Sequence, residues 1–290
     1  MSPKTIAVIN FKGGVGKTTV TWCLGKVLSE ETDWRTLMFD LDPQMSLTEA
    51  IGLNENTGHL DDKFGKWYEQ SIKYRQTIYD AIEVFRKAGD NFKFPVGFDS
   101  IYDIDEQLHF IPSVEELYWL ELGGFQAKNV KNFIRNFVGK ITNSSHLPNY
   151  DFIVFDCSPS FNLLSYSVLS CCDLVLIPVN PDYFGSRGLS LLLNSLKRRI
   201  EPFPFPKIAV FMNKAKTYGG LLTNEVQFYM REDKRICADA AAENNIPIKF
   251  LESTIRETVG IKRAINEGEL PADIVTDFEE LWRECAEYLK

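Results

Sequence analysis

The sequence predicts an α/β fold with a doubly wound, mostly parallel sheet and helices on both faces. Three observations lead there. Short apolar runs recur at residues 6–9, 37–39, 152–155 and 174–179, and runs that are apolar throughout mark strands buried on both sides. Between them lie stretches with apolar residues at three- and four-residue spacing, beginning with Val20, Leu24, Val27 and Leu28, as helices require. Acids or glycines stand just after several runs, at what is the functional end of a parallel sheet.

Length and composition set the limits. With 290 residues and 44% hydrophobic content, the chain can build one large core, and the expectation is a single domain over 1–290 with a variable insertion at 54–105. No run of eighteen apolar residues occurs, and Met1-Ser-Pro-Lys4 lacks an apolar signal core, so the expected location is cytoplasmic, without a membrane role. The six cysteines form no C-x-x-C pair and read as buried thiols with neither metal nor disulfides. His59, His109 and His146 are scattered and read as incidental. A net charge of −8 restricts any nucleic-acid affinity to local basic patches.

Taken in order, the first strand feeds Asn10-Phe-Lys-Gly-Gly-Val-Gly-Lys-Thr-Thr19. A glycine-rich turn between strand and helix lets backbone N–H groups converge on a phosphate at the positive end of the helix. Lys17 is then placed to reach terminal phosphates and the Thr18 hydroxyl to ligate magnesium. Phe11 stands where the general P-loop pattern has its first glycine, and Lys12 follows it. The form K-G-G-x-G-K-T-T resembles the deviant Walker A motif of the ParA/MinD family of ATPases. That resemblance makes Lys12, Gly13, Gly14, Val15, Gly16, Lys17, Thr18 and Thr19 the nucleotide-binding residues. It also makes Lys12 a lysine that contacts phosphate across a dimer interface, and Lys12 has no evident job within its own loop.

The second strand delivers Asp40 and Asp42 in D-L-D-P-Q. By the resemblance, Asp42 positions the attacking water and the metal shell, and Asp40 is the weaker candidate. Residues 54–105 mix charged, glycine and aromatic residues without a clean strand, with helical stretches in 67–87; Phe92, Phe94 and Phe98 read as core or as partner contacts. A strand returns at 108–113, followed by helical spacing at 114–122 and 130–141. Phe152-Ile-Val-Phe-Asp156 reads as a Walker B strand whose acid holds magnesium beside the loop. The turn after it resembles the family's P-P-S-L turn, with Ser158 in place of the first proline.

The remaining segments also resemble the family in register. A strand at 173–179 leads through Asp182, where glutamate is common, to a helix faced by Leu189, Leu192, Leu193, Leu196 and Ile200. The strand at 207–213 ends in Asn213, which matches an adenine-binding asparagine, although an Asn there is ordinarily a cap or turn. A long helix is expected at 224–243 and a last short strand at 247–251. The stretch 253–264 resembles one that borders nucleotide and dimer interface, with Arg256 equally readable as a structural pairing residue. The terminal stretch 273–289 puts Ile274, Phe278, Leu281, Trp282 and Leu289 on one face and Glu279, Glu280, Glu284 and Glu287 outside; an acidic polar face argues against membrane targeting.

The resemblance implies a ParA-like ATPase using ATP and Mg2+. Its homodimer forms on ATP and binds DNA non-specifically, and a ParB-like or other partner stimulates hydrolysis, so that plasmid or chromosome DNA is partitioned or a cargo positioned on the nucleoid. Candidate DNA contacts are Lys197, Arg198 and Arg199; Arg231, Lys234 and Arg235; and Lys262 and Arg263, each cluster also readable as a solvated helix face. Two rivals stand beside this reading: an ATP-switched regulator or scaffold of the same family with negligible hydrolysis and no DNA role, and a metabolic P-loop synthetase, against which Lys12 speaks.

Overall fold

The structure is a computed structural model and describes residues 2–30, 34–54, 59–60, 62–91, 93, 100–122, 130–199, 205–258, 260 and 270–290. In chain order its elements begin β1 (Lys4–Val8), α1 (Lys17–Glu30), β2 (Thr36–Asp40), α2 (Ser46–Gly52), β3 (Leu53–Asn54), β4 (His59–Leu60), α3 (Asp62–Lys73), α4 (Ile78–Ala88), β5 (Tyr102–Asp103), β6 (Leu108–Ile111) and α5 (Leu117–Leu122). They continue α6 (Phe133–Thr142), β7 (Phe152–Asp156), α7 (Leu163–Leu169), β8 (Leu174–Val179), α8 (Tyr183–Arg199), β9 (Lys207–Ala215), β10 (Thr217–Tyr218), β11 (Leu221–Leu222), α9 (Asn224–Asn244), β12 (Ile248–Arg256) and α10 (Ala272–Leu289).

Eight strands form one sheet in the order β12-β9-β8-β1-β7-β2-β6-β5, with helices on both faces. Every neighbouring pair is parallel except β5 with β6. The apolar runs become the central strands because both of their faces are covered; Ile6, Ala7, Val8, Ile153, Val154 and Phe155 have no exposed surface. Helix α1 lies so close to β2 that a Cβ at Gly25 would strike the Met38 sulfur. From β1 the chain winds towards β6, and from β7 it winds back towards β12. That reversal opens the crevice in which open α/β sheets bind ligands. Val8 and Asp40 both pair with Asp156, so three strands end level and deliver their tips to one place.

Two expectations are corrected at the edges of the sheet. Residues 54–105 do contain a sheet strand, β5, which pairs antiparallel with β6 through Tyr102 and Phe110; at two residues it is too short to give a periodic signal. The rest of the described segment is mostly helical, and Thr77 and Asp80 form a capping box that starts α4. At the opposite edge β12 extends beyond residue 251 to Arg256, with shifted register after Phe250. Its amides are taken up by α10: the Glu284 carboxylate accepts from the N–H groups of Glu252 and Ser253 and from the Ser253 hydroxyl. Glu284 therefore does not face outward as its place in the helix pattern predicts; it finishes an edge strand whose N–H groups need partners. Elsewhere α10 buries Ile274, Phe278 and Leu281 as the spacing requires, and Trp282 packs edge-on to Phe152.

The helix expected at 114–122 begins later, at Leu117, and the one at 130–141 opens with a 3-10 turn before α6. All six cysteines are free thiols. Ile200, Phe92, Phe94 and Phe98 lie outside the described residues.

Candidate nucleotide-binding site

The loop between β1 and α1 is built as its glycines demand. Gly14 and Gly16 have φ of 75° and 87°, where side chains are disfavoured, and a Cβ on Gly16 would lie 2.6 Å from the Asn213 amide nitrogen. The loop is braced from three sides. The Asn10 side chain donates to the Pro178 carbonyl and accepts from the Lys12 amide. Asn213 donates through Nδ2 to the Val15 carbonyl at 2.7 Å, and the Lys214 ammonium to the Gly14 carbonyl at 2.7 Å. Lys214 adopts a left-handed backbone, φ 53°, which costs energy for a residue with a side chain. Val15 is fully buried and pins the loop to the core.

At the base of the loop Lys17 begins α1 and is 7% exposed. Burial lowers its pKa, opposed by the charges of Asp156 and Asp42 nearby. Asp156, at the tip of β7, is 1% exposed, and neither of its oxygens makes a hydrogen bond of full geometry, the Thr18 hydroxyl standing at the margin of one. Burial pushes its pKa well up and the neighbouring Asp40 adds to this, while the Thr18 hydroxyl and Lys17 beside it draw it down. A buried carboxylate left short of donors is what a cation site requires. Among the described residues no three His, Cys, Asp or Glu side chains converge as a metal cage. The donor set of Asp156, Thr18 and Asp42 is all oxygen and fits magnesium, which typically takes one or two carboxylates and completes its shell with phosphates and waters.

Asp40 and Asp42 differ in their surroundings. Asp40 is fully buried and accepts from the Thr48 amide, the Thr48 hydroxyl and the Asp42 amide; burial raises its pKa to about 7 against those hydrogen bonds. It anchors the turn. Asp42 is 6% exposed, and its Oδ1 accepts from the Gln44 amide.

Lys12 has a partner in its own chain. Its ammonium lies 2.9 and 3.0 Å from the two oxygens of Asp182, which also accepts from the Gly185 amide at the start of α8. Although partial burial works the other way, hydrogen bonds from Lys12 and Gly185 hold the Asp182 carboxyl below its usual range. The Lys12 ammonium also stands 5.9 Å from the centre of the exposed Phe184 ring.

The basic candidates stand apart from the loop. Lys197 and Arg198 are exposed at the end of α8, and Arg231 is exposed on α9. Lys234 is paired with Glu252 at 2.8 Å, and Arg235 with Glu232 at 3.1 Å and Asp239 at 3.9 Å, so this cluster is largely neutralised within the chain. The Arg199 side chain and Lys262 and Arg263 lie outside the described residues. Arg256 takes the pairing role: it forms a bidentate contact with Asp277 and donates to the Asp273 carbonyl. Sequence reasoning missed Asn10, Lys214, Thr48 and Ser113. Asn10, at the start of the loop, and Lys214, adjacent to Asn213, carried a positional hint.

A glycine loop from β1, a buried lysine at the helix start and an orphaned acid on the neighbouring strand define a P-loop nucleotide-binding protein. The family model described as an AAA domain matches residues 3–203, and the chain belongs to that family, as a ParA/MinD-type P-loop ATPase. It is 31% identical to the sporulation initiation inhibitor protein Soj of Bacillus subtilis over 67% of this chain and 65% of the relative's length. The chain thus spans just under two thirds of that relative. An ATP complex of a Cyanothece McdA variant superposes with a TM-score of 0.72 at 19% identity, covering 98% of this chain and 97% of the other. The structure of pNOB8 ParA bound to nonspecific DNA superposes at 0.67 and 19% identity, covering 98% and 99%. At such identities these two structures speak for the fold.

Proposed function

We propose that this chain is an ATPase whose ATP-bound form is a homodimer that holds duplex DNA without regard to sequence, and that a partner protein of the ParB kind or another activator stimulates its hydrolysis. The cycle would serve partition of plasmid or chromosome DNA or the positioning of a cargo on the nucleoid. The chain acts as one P-loop domain with residues 54–105 as an insertion. The observation that carries the reading is the orphaned, buried Asp156 beside Thr18 and Lys17 at the foot of the glycine loop.

In this reading the amides of residues 13–19 cradle the phosphates, Lys17 sets its charge against the terminal ones and Asn213 offers its remaining amide valences to adenine. Since the Val15 carbonyl can only accept, Asn213 must turn Nδ2 towards it, which leaves Oδ1 as an acceptor suited to adenine's amino group. Thr18, Asp42 and Asp156 would hold Mg2+, whose charge offsets that developing on the phosphoryl oxygens. Asp42 orients the attacking water. Lys12 leaves Asp182 and reaches the phosphates of the opposing subunit. The DNA-bound pNOB8 ParA neighbour supports the DNA role; Lys197, Arg198 and Arg231, with Lys262 and Arg263, are its contacts.

Light scattering of an Asp42→Ala protein with and without ATP tests the assembly step. A dimer with ATP that is lost in the Lys12→Ala, Asp42→Ala double variant, with ATP still bound, is the expected result. An unchanged dimer in the double variant contradicts the role given to Lys12.

A further inference from the structure

The backbone of Asp42 is held from both sides, by the motif acid Asp40 and by a serine that no motif contains. Its N–H donates to Asp40, and its carbonyl accepts from the Ser113 hydroxyl at 2.7 Å. Ser113 follows β6 and is fully buried. Its own amide donates to the Thr48 hydroxyl, which in turn donates to Asp40. Its carbonyl accepts from the Tyr68 phenol at 2.6 Å. Tyr68 belongs to α3, inside the segment that the family pattern leaves open, and its ring is stacked on Phe64, which meets Tyr102 of the edge strand at 5.0 Å. Three segments far apart in the sequence, 40–48, Tyr68 and Ser113, therefore close one buried hydrogen-bond chain: Tyr68 to Ser113 to the Asp42 carbonyl, with Thr48 and Asp40 completing the ring. Each member is under a tenth exposed; the Asp42 carbonyl also accepts from the Met45 amide, but only the Ser113 hydroxyl ties it to the segment after β6, and a buried hydroxyl left unmet is costly.

We propose that Tyr68 and Ser113 are positioning residues for Asp42, so that the 54–105 segment works by fixing the geometry of the hydrolytic loop. This rests on the ATPase reading only where turnover is concerned; the bracing of residues 40–48 is independent of it. The phenol is a donor at any working pH, because burial and nearby glutamates push its ionisation upward. The glycine loop, Lys17 and Asn213 make no described hydrogen bond to Ser113 or Tyr68, so loss of the brace acts on turnover through Asp42 more than on nucleotide binding.

Tyr68→Phe keeps the ring and its stack and removes only the hydroxyl; Ser113→Ala removes the donor to Asp42 and keeps the amide. Two readouts separate the possibilities. In the nucleotide-free protein, amide exchange measured by mass spectrometry should rise in peptides covering residues 40–48 and 111–114 and stay unchanged around residues 10–19. In steady state, kcat for ATP should fall about two- to tenfold, the span of a single neutral hydrogen bond, with KM unchanged. Unchanged exchange at 40–48 in both variants overturns the proposal whatever the turnover. Faster exchange at 40–48 in the variants, alongside a wild type that binds ATP without hydrolysing it, sustains the brace and removes the ATPase reading alone. Equal kcat in wild type and variants, with wild-type turnover measurable, overturns the positioning role.

Discussion

Lys12 and Asp182 lie 170 positions apart in the sequence and meet at 2.9 Å. A lysine proposed to act on another subunit is thus held by its own, through a carboxylate that also caps the start of α8. Cross-subunit contact requires that this pair open first. With side chains 28% and 42% exposed, the pair is worth about 0.2–1 kcal/mol.

The first prediction follows from that figure. Asp182→Asn, made in an Asp42→Ala background so that ATP persists, should lower the protein concentration for half-maximal ATP-dependent dimer by about two- to thirtyfold, since two such pairs open per dimer. Sedimentation or light scattering across a dilution series reads it. Weaker dimerisation in Asp182→Asn would mean that the carboxylate supports the interface instead of competing with it.

A second prediction concerns pH and a residue away from the loop. Asp233, on α9, is fully buried, and neither oxygen makes a hydrogen bond of full geometry, the Ser186 hydroxyl standing at the margin of one; burial raises its pKa to about 6, which that hydroxyl relieves only in part. Between about 4 and 6 the folded chain keeps a proton that the unfolded chain has released, so this group lowers stability as pH rises through that window and its cost is constant above it. Asp233→Asn should therefore be more stable than wild type at pH 8, by about 2–3 kcal/mol at most, and equal to it near pH 4. Urea midpoints at the two pH values decide; a gap that is the same at both would show that the carboxyl does not titrate there.

DNA binding gives the third. The ATP-bound dimer should shift duplex DNA at low salt, with log affinity falling against log salt by roughly 0.9 per phosphate neutralised. Neutralising Lys262 and Arg263 should weaken the shift most and Lys197 and Arg198 next. Lys234→Ala should weaken it little, because Glu252 already takes its charge. Gel shifts with the Asp42→Ala protein, with and without ATP, measure this, and no shift in either state favours a relative that works on a protein scaffold.

The loop, its lysine and the two strand-end acids were legible because each is local: a run of apolar residues, a turn and a helix start within a dozen positions. The sheet followed from the same signal repeated, and β12 and β5 departed from it where edge strands are irregular or two residues long. What escaped was pairing over distance. Nothing near Lys12 announces Asp182, nothing near Asp42 announces Ser113 some seventy positions on, and Glu284 reads as a solvent-facing helix residue until β12 supplies the amides it meets. Arg235 is the instructive middle case: its acids Glu232 and Asp239 stand at helical spacing in the sequence, whereas the Glu252 that neutralises Lys234 does not.

The central claim is that this loop binds ATP through Lys17 and that Asp42 drives its hydrolysis. ATP affinity and steady-state turnover of wild type, Lys17→Ala and Asp42→Ala, measured side by side, test it most directly. Wild type should bind and hydrolyse; Lys17→Ala should bind no ATP; Asp42→Ala should bind as wild type and turn over about 10²–10³ times more slowly. Turnover in Asp42→Ala equal to wild type, or ATP binding that survives in Lys17→Ala, would contradict the account.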